Sequence, residues 1–223
     1  MLFGAGCGII VVGLNKGGML MKKKVLICLW MIVLVLVVLV GVFVSKTVKK
    51  MKIVEDIESK MEQYVGSDNY YIKTISHSGN RITVLEDYVK GDKELSKMTT
   101  EEEIIYYDNE DEEAVHVVPV WEYHFFGENY SRWDLFWAVA FSPIKEVEVN
   151  GIECYRIDNY NGVMKAAEGE YYYCVAKDTG LLMKTMLGDG READGTRFPV
   201  YNVFEVKFDC VTDEDLVIPE NLE

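Results

Sequence analysis

Residues 131–141 read Ser-Arg-Trp-Asp-Leu-Phe-Trp-Ala-Val-Ala-Phe, and the way this stretch is covered decides the fold. Trp133, Phe136, Trp137, Ala140 and Phe141 recur at i, i+3, i+4, i+7 and i+8, the spacing of one helical face. Ser131, with Asp134 three residues on, makes a capping-box-like start in which Asp replaces the usual Glu. Pro143 stops the helix, because it lacks an N–H and restricts the residue before it. A stripe with two tryptophans and two phenylalanines is expected to bury itself against a sheet.

The flanking sequence supplies that sheet. β-rich runs read as Tyr70–His77, Arg81–Val89, Glu94–Met98, Glu103–Tyr107, Ala114–Val118, Val120–Phe126, Ile144–Val149, Ile152–Ile157, Tyr171–Lys177, Leu181–Leu187 and Val200–Phe208. Short connections such as Ser78-Gly79-Asn80, Gly91-Asp92, Asn150-Gly151 and Asp178-Thr179-Gly180 signal hairpins rather than parallel crossovers. An antiparallel meander follows. Alternation gives Ile144–Val149 and Val200–Phe208 one wet face each, whereas Tyr171–Ala176 is apolar on both faces and needs cover on each.

Upstream, Met51, Val54, Ile57, Met61 and Val65 form the stripe of an amphipathic helix, with Gly66 as its stop. Packing on the chain's own sheet is preferred to a partner-binding coil, since only two heptads are present. Before it, Val25–Val44 is twenty residues without a charge, about 30 Å of helix and the thickness of a bilayer's hydrocarbon core. Core helices are rarely apolar on every face for so long, so a transmembrane helix is the preferred reading. No small-residue cleavage site follows it, which favours an uncleaved anchor over a signal peptide.

Charge divides the chain in the same place. Eight of its 23 basic side chains lie in residues 1–52, which hold no acid, and residues 53–223 carry 15 bases against 37 acids, a net charge of −22. Phosphate binding needs clustered Lys and Arg, so nucleic acid is excluded as a partner of this body. Lysines split four and four across the apolar run. The compact Lys22-Lys23-Lys24 cluster and the amino terminus tip the orientation toward N-terminus cytoplasmic, body extracytoplasmic. The expected organisation is a basic N-terminal segment 1–24, a transmembrane helix 25–44, a juxtamembrane helix 45–66 and a β domain 67–223. Within the first, residues 1–20 are apolar for too short a run to span. Met19 or Met21 followed by lysines is the more natural start, with residues 1–20 an upstream extension.

Chemistry is sparse. His77, His116 and His124 sit in no catalytic motif, and Ser76, Ser131 and Ser142 are not in a G-x-S-x-G elbow, so no enzyme is expected. The acidic run Asp108–Glu113 and the loop Gly188–Gly195 are read as solvated turns rather than calcium sites, the latter lacking the order of oxygen ligands. No metal or cofactor is expected. Of the cysteines in the body, Cys154, Cys174 and Cys210, the first two lie on neighbouring runs. Pairing between them stays open beside the preferred reading as small buried hydrophobes.

Several signatures then stand in order: the helix ending in Phe141-Ser142-Pro143, then Gly151–Ile157, Tyr171-Tyr172-Tyr173, the hairpin Lys177-Asp178-Thr179-Gly180-Leu181, and Tyr201 through Val211–Asp215 to Pro219. This pattern, over Met51 to Glu223, resembles the lipoprotein-carrier-like (LolA-like) superfamily, especially its membrane-attached bacterial members. The resemblance implies an α+β fold, a curved antiparallel half-barrel whose concave face is closed by helices. It also implies lipid or lipoprotein acyl chains as ligands, and extracytoplasmic sensors or regulatory partners among relatives. It carries no catalytic residues. The chain departs from many members in lacking a lipid-acceptor cysteine after the apolar run, which implies a tethered protein rather than a shuttle. An apolar ligand between sheet and helix would be lined by Trp121, Tyr123, Phe125, Trp133, Phe136, Trp137, Tyr171 and Tyr173. The competing expectation is an envelope sensor or interaction module with a sealed aromatic core, its acidic body favouring a basic envelope protein.

Overall fold

The computed structural model describes residues 16–108, 119–121, 131–158, 170–191 and 194–219. The chain divides into two compact units, Met1–Ser45 and Lys46–Glu223. In the first, every residue from Val25 to Ser45 lies in helix with its side chain exposed. Within Val25–Tyr64 this stretch is long and apolar enough to cross a membrane.

The second unit is α+β. Helix α1, Lys16–Met61, contributes its last sixteen residues to it, and a 3-10 turn, Glu62–Tyr64, ends it before Gly66 at φ +83°. Nine strands follow: β1 (Asn69–Ser78), β2 (Arg81–Lys90), β3 (Lys93–Thr99), β4 (Ile104–Asp108), then after helix α2 (Arg132–Phe141) β5 (Ile144–Val149), β6 (Ile152–Asp158), β7 (Tyr171–Ala176), β8 (Leu182–Arg191) and β9 (Arg197–Phe208). They make one curved, open antiparallel sheet in the order β4-β3-β2-β1-β9-β8-β7-β6-β5. Two meanders therefore start from opposite places and meet where the first and last strands pair, Tyr70 opposite Phe208. Of the expected strands, Ala114–Val118 and residues 122–126 lie outside the described residues. Val120 and Trp121 form a turn rather than a strand start.

The α1 stripe packs as its spacing predicts: Met51, Val54, Ile57 and Met61 are buried in one core with Ile72, Ile157, Tyr173, Val175, Leu182 and Phe204 of the sheet. Each such side chain removed from water contributes about 1.5–3 kcal/mol before entropy. Val65, the fifth member of the expected stripe, is 64% exposed, because the helix has already ended. Tyr64 takes over there, stacking on Phe208 at 4.5 Å. The β7–β8 turn is pressed onto this helix. Gly180 has φ +77°, and a Cβ built there would sit 2.6 Å from the Ile57 carbonyl oxygen. Lys60 closes the contact by donating to the Lys177 carbonyl at 2.6 Å.

Strand β7 is covered on both faces, as its two-sided apolarity requires. Tyr173 and Val175 meet the helices, while Tyr172 and Cys174 join Cys154 in a smaller cluster with Val147, Val149, Ile152, Met183 and Met186. Both cysteines are free thiols: Cys154 lies opposite Ala176 and Cys174 opposite Arg156, a diagonal rather than a facing pair. Burial, and then the neighbouring Cys154, push the Cys174 thiol up to about 11. Arg156 covers this cluster with its guanidinium 3.7 Å from the Tyr172 ring centroid, held there by Asp158 at 2.6 Å.

Candidate functional site: the groove beside helix α2

Helix α2 starts as its sequence predicts. The Ser131 hydroxyl oxygen accepts from the Asp134 N–H at 3.2 Å and donates to the Asp134 carboxylate at 2.6 Å. Its docking corrects an expectation, because three of the five stripe residues expected to face the sheet, Trp133, Trp137 and Phe141, do not. Val139 is fully buried, with Leu135, Phe136 and Ala138 packed on the core, while Trp133, Trp137 and Phe141 are 65%, 42% and 57% exposed. The reason is that RWDLFWAVAF is apolar almost all round, so either face could dock. The narrower Leu135–Val139–Ser142 edge lies closer to the sheet, and Ser142 is itself buried with its hydroxyl donating to the Ala138 carbonyl at 2.8 Å.

Lys50 of α1 fixes the other end of α2. Its ammonium donates to the carbonyl oxygens of Val139, Ala140 and Ser142 at 3.3, 3.4 and 2.9 Å. These are groups that the end of a helix leaves unsatisfied, at the negative pole of its dipole. Burial, and then the nearby Lys46 charge, lower the pKa of this lysine. Lys50→Met keeps the stem and deletes the donors. It is expected to cost about 1–2 kcal/mol and to raise hydrogen exchange in the last turn of α2. Unchanged protection there would show the contact to be idle.

Between the two helices lies a groove of about 410 Å³. Val48, Met51, Trp133 and Phe136 form its apolar wall; Lys52, Glu55 and Arg132 stand at its rim. Trp133 and Phe136 stack at 5.6 Å with their planes 7° apart, presenting a flat aromatic surface. An apolar wall with a few charged groups at the mouth suits an amphiphile, a chain with a polar end. A second hollow of about 440 Å³ lies on the face away from the helices, where Glu148 and Val149 at the end of β5 and Asn150 of the turn after it meet Ile75 and His77 of β1, Tyr201 and Val203 of β9, and Lys184 of β8. It is more polar: His77 stacks on Tyr201 at 4.4 Å, and the Lys184 ammonium lies 4.5 Å from the same ring.

Of the eight residues expected to line one pocket, six are described, and they fall in two places, the core and helix α2. Trp121 (4% exposed) is in the core against Tyr70 and Phe208, at 4.8 and 5.2 Å. Tyr173 (3% exposed) is core and Tyr171 half-buried beside it, their hydroxyls 3.2 Å apart. Trp133, Phe136 and Trp137 gather on α2, where the first two line the groove. Tyr123 and Phe125 lie outside the described residues. As groove-lining residues, sequence reasoning missed Val48, Met51, Lys52, Glu55 and Arg132. Val48 stands three residues before Met51 on α1, and this continuation of the apolar stripe toward the N-terminus was the available signal.

Among the described residues no three His, Cys, Asp or Glu side chains are grouped so as to hold a metal ion. Of the expected 188–195 turn, Gly188–Arg191 belong to strand β8, and beyond it the Asp194 carboxylate accepts the Thr196 N–H at 2.8 Å, a hydrogen bond that holds it below the usual carboxylate range. Most of the Asp108–Glu113 run, and His116 and His124, lie outside the described residues.

No protein-family model matches the sequence, and no curated protein matches it. Similar solved structures include a chain of the Pseudomonas aeruginosa MucA/MucB complex, at 11% identity and TM-score 0.37, over 77% of this chain and 61% of that one. A LolA superfamily protein from Nitrosomonas europaea is similar at 5% identity and TM-score 0.21, over 74% of this chain and 97% of that one. A domain described as an outer membrane lipoprotein-sorting protein, from Vibrio parahaemolyticus, is similar at 10% identity and TM-score 0.23, over 76% and 97%. The chain thus spans about three fifths of the chain it matches in the MucA/MucB complex. A LolA superfamily protein is thus among the solved structures to which this chain is similar.

Proposed function

We propose that this protein is a membrane-anchored, non-enzymatic, extracytoplasmic binding domain that holds a lipid or other apolar chain in the groove between α1 and α2. The observation that carries the reading is the groove's composition: an apolar wall of Val48, Met51, Trp133 and Phe136 beneath the charged rim of Lys52, Glu55 and Arg132. The space between sheet and helices is filled by buried side chains, so the ligand lies beside α2 rather than beneath it. The anchor is Val25–Val44 and the soluble unit Lys46–Glu223.

The test uses the full chain reconstituted in vesicles with a photoreactive fatty acid. Adducts are expected on the peptides holding Val48–Glu55 and Arg132–Phe136. Val48→Trp, which fills the groove, is expected to cut the α2 adducts about tenfold, the equivalent of ~1.4 kcal/mol of lost binding. Adducts confined to residues 25–44, or unaffected by Val48→Trp, would sink the proposal.

The filled core supports a second reading, an interaction module for a basic envelope protein with no small ligand. Its sequence charge of −22 over residues 53–223 favours association that weakens with salt. Cross-linking in membranes that captures one reproducible basic protein, lost at high salt, supports this reading; indiscriminate capture counts against it.

A further inference from the structure

We propose that the outer face of α2, the ridge of Trp133, Trp137 and Phe141, docks on the bilayer surface and seats the domain against the membrane. This rests on the membrane-anchor reading above and extends it to a part of the chain outside the anchor.

Three observations carry it. The first is the ridge itself. Its side chains follow i, i+4, i+8 on the side of α2 turned away from the core, all more than two fifths exposed. Trp133 meets Trp137 edge-to-face at 5.7 Å and Trp137 stacks on Phe141 at 6.0 Å, so the rings form one continuous surface. Water-facing helices rarely offer such a strip, whereas tryptophan, with an apolar body and one N–H, is enriched where hydrocarbon meets headgroups.

The second is the covalent tether. Lys50 grips the last turn of α2 through the Val139, Ala140 and Ser142 carbonyls, and it stands only six positions after Val44, where the charge-free run ends. Six helical residues are about 9 Å of chain, and even fully extended they reach only about 20 Å. Chain connectivity therefore limits how far the last turn of α2 can stand from the headgroup layer, which spans about 5–7 Å on each side of the hydrocarbon core.

The third is charge. Lys46, Lys49 and Lys52 lie beside this tether with no acid between them, in contrast to the acidic remainder. Such a cluster is drawn to an anionic lipid surface within about a Debye length of it. A second copy of the chain is a poorer occupant, since two such lysine clusters would have to meet.

The full chain in vesicles of phosphatidylcholine and phosphatidylglycerol tests this by fluorescence quenching. The ridge signal is the emission lost in the Trp133→Phe/Trp137→Phe double variant, and the anchor signal is that lost in Trp30→Phe. Docking predicts that headgroup nitroxide lipids quench the ridge signal at least twofold more than aqueous iodide does. Iodide quenching without nitroxide quenching overturns it, and so does protection from both, the signature of a protein partner or second copy. Trp30 separates the two readings. If acyl-chain nitroxides quench Trp30 but headgroup nitroxides spare the ridge, docking alone fails; if Trp30 is not quenched, the anchor itself has failed. Trp133 and Trp137 are exposed and Phe conserves their stacking, so folding is expected to survive the double variant.

Discussion

Ile57→Ala is expected to remove about 3–4 kcal/mol of stability, the cost of deleting a fully buried isoleucine and leaving a cavity. Ile57 is 0% exposed in the core between α1 and the sheet. Against a domain stability of about 5–15 kcal/mol this is a large fraction. In urea it corresponds to a midpoint shift of roughly 1.5–2 M, taking m as about 2 kcal/mol/M. Val65→Ala is the matched control. It belongs to the same sequence stripe but is 64% exposed, and a change within about 0.5 kcal/mol is expected. Similar losses at the two sites would mean that the helix continues past Met61 and docks differently.

The second large effect is expected at Gly180. Its φ of +77° charges a side-chain-bearing residue about 1–2 kcal/mol. A Cβ would further stand 2.6 Å from the Ile57 carbonyl oxygen, 3.1 Å from the Lys60 Cβ and 3.2 Å from the Met61 Cγ. The first contact is with backbone, which yields only if helix and hairpin separate, so overpacking adds about 1–3 kcal/mol. Gly180→Ala is thus expected to cost about 2–5 kcal/mol. Gly151→Ala isolates the conformational share: φ is +81° there and nothing lies within 4 Å. Thermal or urea unfolding of the pair reads the difference as the tightness of the β7–β8 turn on α1. Equal losses would show that the turn is not pressed on the helix.

Both positions show what a linear pattern conveys. Hairpin connections such as Asn150-Gly151 and Asp178-Thr179-Gly180 set the strands and their antiparallel sense, because glycine and asparagine mark backbone that other residues rarely adopt. The α1 stripe was legible because its opposite face is charged, Glu55, Asp56, Glu58 and Glu62, which leaves one way to dock. Helix α2 offers no such contrast. Only Arg132 and Asp134 are charged, so periodicity located the helix but not the face that packs. Lys50 and the sheet decided that, and neither is adjacent in sequence. The groove was illegible for the same reason: half of its wall comes from residues 48–51 and half from residues 133–136. Nor does any local pattern announce that β9 returns to β1.

That return has a consequence for how the protein is made. Tyr70 and Phe208, partners in the middle of the sheet, are 138 positions apart. A chain emerging from its amino-terminal end completes β1 to β4 long before β9 exists, and the free flank of β1 is a row of unpaired amides and carbonyls. Contacts of such long sequence separation form slowly. The nascent chain thus passes through a half-built state with its future centre laid bare. A chaperone or a transient neighbour that occupies the β1 flank during synthesis would hold the protein open, and the arrival of the last strand would release it.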